Sequence, residues 1–241
     1  MNLIIDIGNT RSKIAVFDNK TLLQKIITEN DNIYKKVKKL QKKYTLRNCF
    51  ISSVSNYDTS TIKKLNTFSK VIELDHQTRI PLLNKYKTPE TLGVDRIALA
   101  CAAVDQYPNQ NVLVIDAGTC ITFDYVNSKK EYLGGAISPG IGIRYKSLHK
   151  FTANLPLLEL NKFKLIGSDT VSAIHSGVLN GILNEIDGVI NQYITKFQTL
   201  TVVLTGGDIN FLSKNLKSTI FANPNFLLEG LNSILIHNLD E

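Results

Sequence analysis

The chain has 241 residues, of which 43% are hydrophobic and 20% charged, a composition typical of a globular protein with one large domain or two smaller ones. No apolar run approaches the roughly 18 residues that cross a bilayer, and the N-terminus lacks the features of a signal peptide, so we expect a cytoplasmic protein with no membrane partner. Three cysteines without a CxxC pair and four scattered histidines argue against a disulfide framework and a zinc-type site, while the net charge of +7 raises the question of nucleic acid.

The first predicted element is a hairpin at the N-terminus. An apolar strand over residues 3–6 ends in the sequence DIGNT (6–10), and a second strand follows over 13–18. A turn at Asn19 leads into a third strand over 22–27. Apolar strands separated by short polar turns are typical of an antiparallel sheet.

A lysine-rich segment over residues 31–44 is predicted to form an amphipathic helix. Its apolar residues fall at helical spacing, and its outer face carries Lys35, Lys36, Lys38, Lys39, Lys42 and Lys43. A solvated face explains these lysines better than a nucleic-acid site, because no interleaved pattern of arginines and aromatic residues supports stacking on bases. We therefore expect no nucleic-acid partner, and the positive field would attract anions such as ATP.

The pattern of the N-terminal hairpin recurs at mid-chain. A strand over residues 112–115 ends in the sequence DAGT (116–119), and another strand follows over 121–126. Asp6 and Asp116 are 110 residues apart, close to half of the chain. A duplicated lobe explains that spacing simply.

The remaining elements alternate as in layered α/β folds. Strands are predicted at 48–54, 70–74, 131–137, 200–205 and 218–222. Helices are predicted at 58–67, 95–106, 140–150, 169–197, 208–216 and 225–238. A proline-containing break at 107–111 marks the predicted junction between an N-terminal lobe, 1–110, and a C-terminal lobe, 111–241.

The first Asp-x-Gly turn has the residues that phosphate binding needs. Gly8 lets the backbone approach a ligand closely. Backbone amides, hydroxyls and an ammonium group follow as candidate donors to phosphate, at Asn9, Thr10, Arg11, Ser12 and Lys13. Asp6, at the carboxyl end of the strand, could hold Mg²⁺ directly or through water. A single turn of this kind is explained more simply as a tight hairpin in which Asp6 caps the turn. Two copies at equivalent positions of the repeat indicate instead a nucleotide site formed by both turns.

Two glycine-containing stretches connect a predicted strand to a predicted helix: Leu133 to Gly140, with Gly134-Gly135 in it, and Leu204 to Asp208, with Gly206-Gly207 in it. Each precedes a predicted helix, so free amides at the helix N-terminus could face a ligand. The second loop resembles the adenosine-side loop of sugar kinases and actin-like ATPases, and Asp208 could cap its helix at the same time. The chain contains neither GxxxxGK[ST] nor GxGxxG, which disfavours P-loop and Rossmann folds.

A carboxylate and an arginine meet in the sequence Gly93-Val94-Asp95-Arg96, at a predicted helix start. Asp95 could simply be the N-cap of this helix. Alternatively, Asp95 accepts the proton of an attacking hydroxyl while Arg96 fixes an anionic or carbonyl group of the substrate. These residues by themselves leave both interpretations open.

Taken in order, seven short motifs over nearly the whole chain resemble those of type III pantothenate kinases, in the acetate and sugar kinase/Hsp70/actin superfamily. The motifs are Asp6 to Thr10, Gly93 to Arg96, Asp116 to Thr119 with Thr122, Gly134 to Gly140, Ala153 to Pro156, Gly167 to Thr170 with Ser176-Gly177, and Thr205 to Asp208. Two departures stand out: Val94 replaces a common alanine, and Gly167-Ser168-Asp169-Thr170 replaces Gly-Lys/Arg-Asn-Thr.

The resemblance implies an α/β protein with two similar lobes of the actin-like/ribonuclease H-like ATPase fold, each a mixed β-sheet flanked by helices. It implies ATP-dependent phosphorylation of pantothenate, with Mg²⁺ and potassium or ammonium as cofactors. Asp6 to Lys13 would bind phosphate, with Asp6 holding Mg²⁺ through water, Thr119 would contact ATP, and Asp116 would bind the monovalent cation. Asp95 would be the general base in a pantothenate pocket formed by Tyr86, Gly93, Val94, Asp95, Arg96 and Thr170.

The resemblance also implies a homodimer, with Thr170 acting within its own chain or across the interface. The predicted helices 140–150 and 169–197 carry more apolar positions than one stripe needs, which fits an interface, with burial in the core as the alternative.

Two other functions are compatible with the motifs. The resemblance extends to Bvg accessory factor proteins, described as regulators of transcription, and to superfamily kinases with other small acceptors. The intact carboxylates Asp6, Asp95 and Asp116, together with Arg96, favour catalysis, because a pure regulator would not need them.

Overall fold

Residues 1–8, 11–53, 59–67 and 69–239 are described by the computed structural model of the chain, which gives only the backbone of residues 59–61. They fall into two units. Unit 1 comprises Met1–Pro108, Lys130–Tyr132 and Asn225–Glu241, and unit 2 comprises Asn109–Lys129 and Leu133–Pro224.

The strands and helices follow the predicted order. The strands are β1 (Asn2–Ile7), β2 (Ser12–Asp18), β3 (Thr21–Thr28), β4 (Asn48–Ser53), β5 (Lys70–Glu73), β6 (Leu83–Asn84), β7 (Val112–Ala117), β8 (Cys120–Val126), β9 (Glu131–Pro139), β10 (Thr201–Thr205) and β11 (Phe221–Ala222). The helices are α1 (Ile33–Gln41), α2 (Thr59–Leu65), α3 (Val94–Gln106), α4 (Ile141–Lys150), α5 (Thr170–Phe197), α6 (Ile209–Asn215) and α7 (Phe226–Leu239). Short 3-10 helices cover Asn30–Asn32 and Pro89–Thr91.

Unit 1 is built on a five-stranded mixed sheet in the order β3-β2-β1-β4-β5. The central strand β1 is buried along its whole length, which fits the apolar run Leu3-Ile4-Ile5 at its centre. It pairs antiparallel with β2 and parallel with β4. The carboxyl ends of β1 and β4 therefore meet at one edge of the sheet, where the first Asp-x-Gly turn leaves β1.

Helices cover the sheet of unit 1. In α1 the apolar residues Ile33, Val37 and Leu40 are buried at helical spacing, and the predicted amphipathic helix is confirmed. Helix α3 packs against α7, where Gly230 allows a close approach: a Cβ there would lie 2.0 Å from the Ala98 carbonyl oxygen.

Unit 2 repeats this arrangement in a sheet that contains β11-β10-β7-β8-β9 in that order. Strand β7 pairs antiparallel with β8 and parallel with β10, just as β1 pairs with β2 and β4. The internal repeat predicted from the sequence is therefore present in the topology. The 28-residue helix α5 buries its apolar stripe, including Ile182 and Ile186, in the core of this unit.

The structure differs from the predicted elements in three places. Strand β6, only two residues long, pairs with Glu131 and Tyr132 and was not predicted. Strand β11 is confined to Phe221–Ala222 within the predicted 218–222. Helix α7 groups with unit 1 although it belongs to the second half of the sequence, because its apolar face packs on α3. No helix of the described residues is both long and apolar enough to cross a bilayer.

Candidate functional site

The first Asp-x-Gly turn connects β1 to β2 in unit 1. In the strand register Asp6 lies opposite Lys13 and Ile7 lies opposite Ser12, so the turn consists of residues 8–11. Asp6 and Lys13 are thereby brought side by side at the base of the turn, as phosphate and metal binding would require.

Backbone hydrogen bonding closes the turn. The Gly8 amide donates to the Arg11 carbonyl over 3.2 Å, and a Cβ on Gly8 would lie 3.0 Å from that oxygen. Arg11 is exposed, with its Nε 3.6 Å from a carboxylate oxygen of Glu29. Two of the predicted phosphate-binding residues, Asn9 and Thr10, lie outside the described residues.

Asp6 is a nearly buried carboxylate, only 6% exposed, and its Oδ2 lies 3.5 Å from Lys13 Nζ. Burial raises the pKa of the Asp6 carboxyl above its ordinary value, the Lys13 ammonium opposes that shift, and the Asp95 carboxylate adds to it. A carboxylate that is costly to ionise is stabilised as an anion by further positive charge. The position of Asp6 therefore favours a bound cation.

Ser52 lies level with Asp6 where β4 runs parallel to β1. Its hydroxyl is fully buried and has no hydrogen-bond partner among the described residues. No cluster of three or more His, Cys, Asp or Glu side chains in the described parts of the chain could hold a metal by itself. Magnesium, however, usually takes one or two carboxylates plus water and phosphate oxygens. The carboxylate of Asp6 with the unpartnered hydroxyl of Ser52 fits hydrated Mg²⁺ carried by a nucleotide.

Helix α3 presents Asp95 at its N-terminus. Gly93 is the N-cap residue, and Asp95 is the second residue of the helix, so Asp95 is not the N-cap. Asp95 Oδ1 accepts a hydrogen bond from the Arg96 amide over 2.8 Å. A Cβ on Gly93 would lie 2.5 Å from that oxygen, so glycine makes room for the carboxylate to fold back over the helix start. The positive end of the helix dipole favours the anion there.

Arg96 is 5% exposed, unusually buried for an arginine. Its guanidinium carbon lies 5.8 Å from the centre of the Tyr86 ring, a cation–π contact, and Tyr86 stacks on Tyr132 with 6.1 Å between ring centres. The Tyr86 amide donates to Asn84 Oδ1, which anchors the segment that carries the ring. Two of the predicted pantothenate-binding side chains, Tyr86 and Arg96, are therefore in contact.

The second Asp-x-Gly turn joins β7 to β8 in unit 2. Asp116 lies opposite Thr122 and Ala117 opposite Ile121, so residues 118–120 connect the last paired residues, although Cys120 already has strand conformation. This connection is one residue shorter than the turn in unit 1.

The Gly-Gly loop after β10 packs directly on the second turn. Gly206 has φ of 100°, and a Cβ there would lie 2.2 Å from the Ala117 carbonyl oxygen and 2.5 Å from Asp116 Oδ1. The Asp208 amide donates to the same carbonyl over 3.0 Å, and burial raises the pKa of the Asp208 carboxyl. Asp208 is the N-cap residue of α6, as predicted, although its side chain makes no capping hydrogen bond. The Thr122 hydroxyl is buried without a partner among the described residues.

Thr119 is exposed at the tip of the second turn. Its carbonyl accepts a hydrogen bond from the Gly140 amide over 3.1 Å, and a Cβ on Gly140 would lie 2.2 Å from the Gly118 carbonyl oxygen. The Gly140 amide, predicted to face a ligand, therefore holds the turn instead.

Thr170 is the exposed first residue of α5. Asp169 and Ser172 form a capping box around it, with the Ser172 amide donating to Asp169 Oδ1 over 2.9 Å. Thr170 lines a cleft of about 640 Å³ in unit 2 together with Arg144 and Ala173. Gly167-Ser168-Asp169-Thr170, which departs from the family pattern Gly-Lys/Arg-Asn-Thr, therefore still forms a well-capped start of α5.

Two side chains near the first turn were missed by sequence reasoning. Asn30 bonds to both ends of that turn, 18 residues after Ser12 and with no motif to mark it. Ser52 could have been found, because the predicted strand 48–54 carries a pair of serines, Ser52 and Ser53, near its carboxyl end.

Comparison with known proteins places the chain in a family. The family model described as type III pantothenate kinase matches residues 2–192. A type III pantothenate kinase of Christiangramia forsetii is 51% identical over 240 residues and covers 99% of both chains, and one of Flavobacterium johnsoniae is 46% identical over 244 residues, covering 100% of this chain and 99% of its own.

Solved structures show the same fold at low identity. A Campylobacter jejuni protein described as a Baf family transcriptional activator superposes with a TM-score of 0.65 at 23% identity, covering 99% of this chain and 100% of its own. A Sinorhizobium meliloti protein described as a 2-dehydro-3-deoxygalactonokinase superposes with a TM-score of 0.58 at 12% identity, covering 99% of each chain. The expected kinase and actin-like ATPase fold, with mixed sheets flanked by helices, is therefore confirmed. With a family model that matches residues 2–192 and relatives that are 51% and 46% identical over nearly their full length, this chain belongs to the type III pantothenate kinase family.

Proposed function

We propose that this chain transfers the γ-phosphoryl group of ATP to the primary hydroxyl of pantothenate, giving 4′-phosphopantothenate and ADP, the first step toward coenzyme A. The observation that carries this proposal is 51% identity to a type III pantothenate kinase over 99% of both chains. A cytoplasmic location is part of the proposal, since ATP and the acceptor are small soluble metabolites.

In this proposal the first turn binds the phosphates of ATP. Lys13 supplies a positive charge 3.5 Å from Asp6. Backbone amides after Gly8 are the further donors that the sequence motif suggests. Asp6, with Ser52 beside it, would hold Mg²⁺ through water, and the bound ion would neutralise charge on the phosphates. Because phosphoryl transfer needs mainly positioning and charge neutralisation, a turn that carries these groups is well suited to it.

Asp95 is proposed as the general base. Its Oδ1 is held by the Arg96 amide, which orients the carboxylate and leaves Oδ2 to approach the acceptor hydroxyl. The Asp95 carboxylate lies close enough to Asp6 to raise the pKa of the Asp6 carboxyl, so the proposed base and the phosphate-binding turn belong to one region of unit 1. An alkyl hydroxyl is a weak nucleophile, and a carboxylate that accepts its proton during transfer assists the reaction.

Arg96 is proposed to recognise the carboxylate of pantothenate. Its guanidinium is held over Tyr86 and is largely shielded from water, which strengthens charge-assisted hydrogen bonds. Gly93 and Val94 would complete the pocket on the same helix start. Thr170, exposed in the unit 2 cleft, is the proposed contact that acts within the chain or across a dimer.

In unit 2 the second turn is proposed to bind potassium or ammonium at Asp116 and to contact ATP at Thr119. Support comes from the rigid setting: the carboxylate of Asp116 lies against Gly206, and the Thr119 carbonyl is fixed by Gly140. Oxygen ligands held in place, such as backbone carbonyls, can replace the hydration shell of a potassium ion.

A homodimer is also proposed, on partly different grounds from those expected. Most of the apolar residues of α4 and α5 are buried in the core of unit 2. Burial in the core, rather than an interface, therefore explains why these helices are so apolar. Support comes instead from the segment between these helices, which exposes the large apolar side chains of Phe151, Leu157, Leu160, Leu165 and Ile166, and from Val171, which is exposed at the start of α5. So many exposed apolar residues in one segment are typical of an interaction surface.

The proposed activity is tested with purified protein, Mg-ATP and a panel of acceptors that includes pantothenate, pantothenate amides, acetate and hexoses. We expect ADP release only with pantothenate and its amides, together with a product heavier by one phosphoryl group by mass spectrometry. Folded protein that consumes no ATP with any pantothenate compound would refute the assignment. A transcriptional role is not favoured, since the similarity to the Baf family structure, at 23% identity, extends to the fold alone.

A further inference from the structure

A side chain from outside the Asp6 motif holds the first Asp-x-Gly turn. Asn30 is the first residue of the 3-10 helix after β3 and is half-buried. Its Nδ2 donates to the Gly8 carbonyl over 3.1 Å, while the Ser12 hydroxyl donates to its Oδ1 over 2.7 Å. One amide group therefore ties the first residue of the turn to the residue that follows it.

The turn in unit 2 is held differently. There the Gly140 amide donates to the Thr119 carbonyl and the Asp208 amide donates to the Ala117 carbonyl, so backbone groups brace it. The turn in unit 1 is one residue longer, and longer turns have more conformations to restrict. The Asn30 side chain makes that restriction in unit 1.

Ser12 belongs to this brace. It is fully buried, and its hydroxyl proton is committed to Asn30 rather than directed to solvent. The position that the sequence suggests as a phosphate donor thus has a different use in the structure. Asn30 also suits the task chemically, because a neutral amide can bind both a carbonyl and a hydroxyl without adding negative charge beside bound phosphate.

We propose that Asn30, through Ser12 and the Gly8 carbonyl, is a positioning residue that pre-forms the first turn for ATP. The proposal rests on the proposed role of that turn in ATP binding. Backbone amides bind phosphate well only when they already point in the right direction, because ordering a flexible loop on binding costs affinity. Without the brace, ATP would have to order the turn itself.

The test is Asn30→Ala, with Asn32→Ala as the matched control. Asn32 is an exposed asparagine in the same 3-10 helix, and its side chain makes no capping hydrogen bond. We expect the Kd for a non-hydrolysable ATP analogue, measured by calorimetry, to rise about tenfold in Asn30→Ala and to stay within about twofold of wild type in Asn32→Ala. KM for ATP should rise in parallel, while KM for pantothenate stays within about twofold.

A second variant keeps the proposal testable if Asn30→Ala folds poorly. Ser12→Ala removes one bond of the brace, and the double variant should bind the analogue about as weakly as Asn30→Ala alone, because the two side chains act as a unit. Hydrogen exchange of the Gly8 amide, which is bonded across the turn, should be faster in each of these variants.

Unchanged analogue affinity in both Asn30→Ala and Ser12→Ala would overturn the proposal, even if their melting temperatures fell, since the brace would then serve stability only. If the double variant loses as much binding free energy for the analogue as the two single variants together, Asn30 and Ser12 do not act as one unit. Wild-type protein that binds the analogue but does not phosphorylate pantothenate would refute the proposed acceptor and leave this test intact.

Discussion

Asp95 owes its orientation to its two neighbours in sequence. Gly93 has no side chain to collide with the carboxylate, and the Arg96 amide holds one carboxylate oxygen at 2.8 Å. The Asp95 carboxylate therefore has two possible roles: it accepts a hydrogen bond at the helix start, and it is the proposed base that takes the proton of the substrate hydroxyl. The sequence alone does not distinguish these two roles. Substitution can remove one role and keep the other.

Asp95→Asn should lower turnover by roughly 10²-fold or more, because asparagine keeps Oδ1 as an acceptor for the Arg96 amide but cannot take up a proton. Affinity for ATP and the melting temperature should stay near those of wild type. Steady-state kinetics, calorimetry with an ATP analogue and thermal denaturation measure the three quantities.

Glu90→Gln is a suitable control, since Glu90 is an exposed carboxylate in the short 3-10 helix just before α3. It should leave turnover unchanged. If Asp95→Asn keeps a substantial fraction of wild-type turnover, Asp95 is not the base. A fall in unfolding free energy of about 1 kcal/mol in Asp95→Ala, which also removes Oδ1, without loss of turnover would instead indicate a helix-terminus role.

At the scale of single elements, the two Asp-x-Gly turns are equivalent in topology but are stabilised by different means. The first turn depends on the Asn30 side chain, whereas the second depends on close backbone packing by Gly140 and Gly206. The second turn should therefore be sensitive to the addition of a single methyl group at either glycine.

Gly206→Ala should destabilise the protein by about 2 kcal/mol or more, because the residue has φ of 100° and a Cβ would lie 2.2 Å from the Ala117 carbonyl oxygen. Gly207→Ala is the matched control, since a Cβ there meets nothing within 4 Å. Urea unfolding of both variants measures the difference. Equal stability of the two would show that the loop moves away from the turn at little cost.

The second turn also carries the proposed monovalent cation site. Replacing sodium by potassium or ammonium at constant ionic strength should raise turnover sharply in wild type and much less in Asp116→Asn, which loses the carboxylate charge. Initial rates in the chloride salts measure the response, and choline chloride controls for ionic strength. Equal wild-type rates in sodium and potassium would remove this role from Asp116.

At the scale of the whole molecule, oligomeric state follows from exposed surface rather than from the buried helices. The segment between α4 and α5 exposes Leu165 at 78% and Ile166 at 81%, which is expensive for a side chain that stays in water. A second copy of the chain that covers this segment would remove that cost.

Light scattering should therefore give the mass of two chains of 26.9 kDa at micromolar concentration. Ile166→Glu should shift the protein toward monomer, because dimer formation would bury a charge. Ile27→Glu, an exposed apolar position on β3 of unit 1, is the control and should leave the mass unchanged. A wild-type mass of one chain would exclude the dimer.

Much of the fold follows from local sequence patterns. The two hairpins with their Asp-x-Gly turns, the amphipathic helix α1 and the long helix α5 could be predicted because strand and helix periodicity, turn residues and apolar stripes are properties of neighbouring residues. The pairing of Asp6 with Lys13 and of Asp116 with Thr122 follows from the hairpins in the same way. The roles predicted for the site residues came from the resemblance of the short motifs to those of the family.

Other features depended on contacts between distant residues, which only the tertiary structure specifies. Strand register places Ser52 beside Asp6, and the chain path after β3 brings Asn30 to the first turn. Helix α7 packs on α3 because Gly230 permits a close crossing, which no local pattern in either helix reveals. Sequence periodicity tells which face of an element is buried but not which partner covers it, so the motifs could be read from the chain alone while the side chains that hold them in place could not.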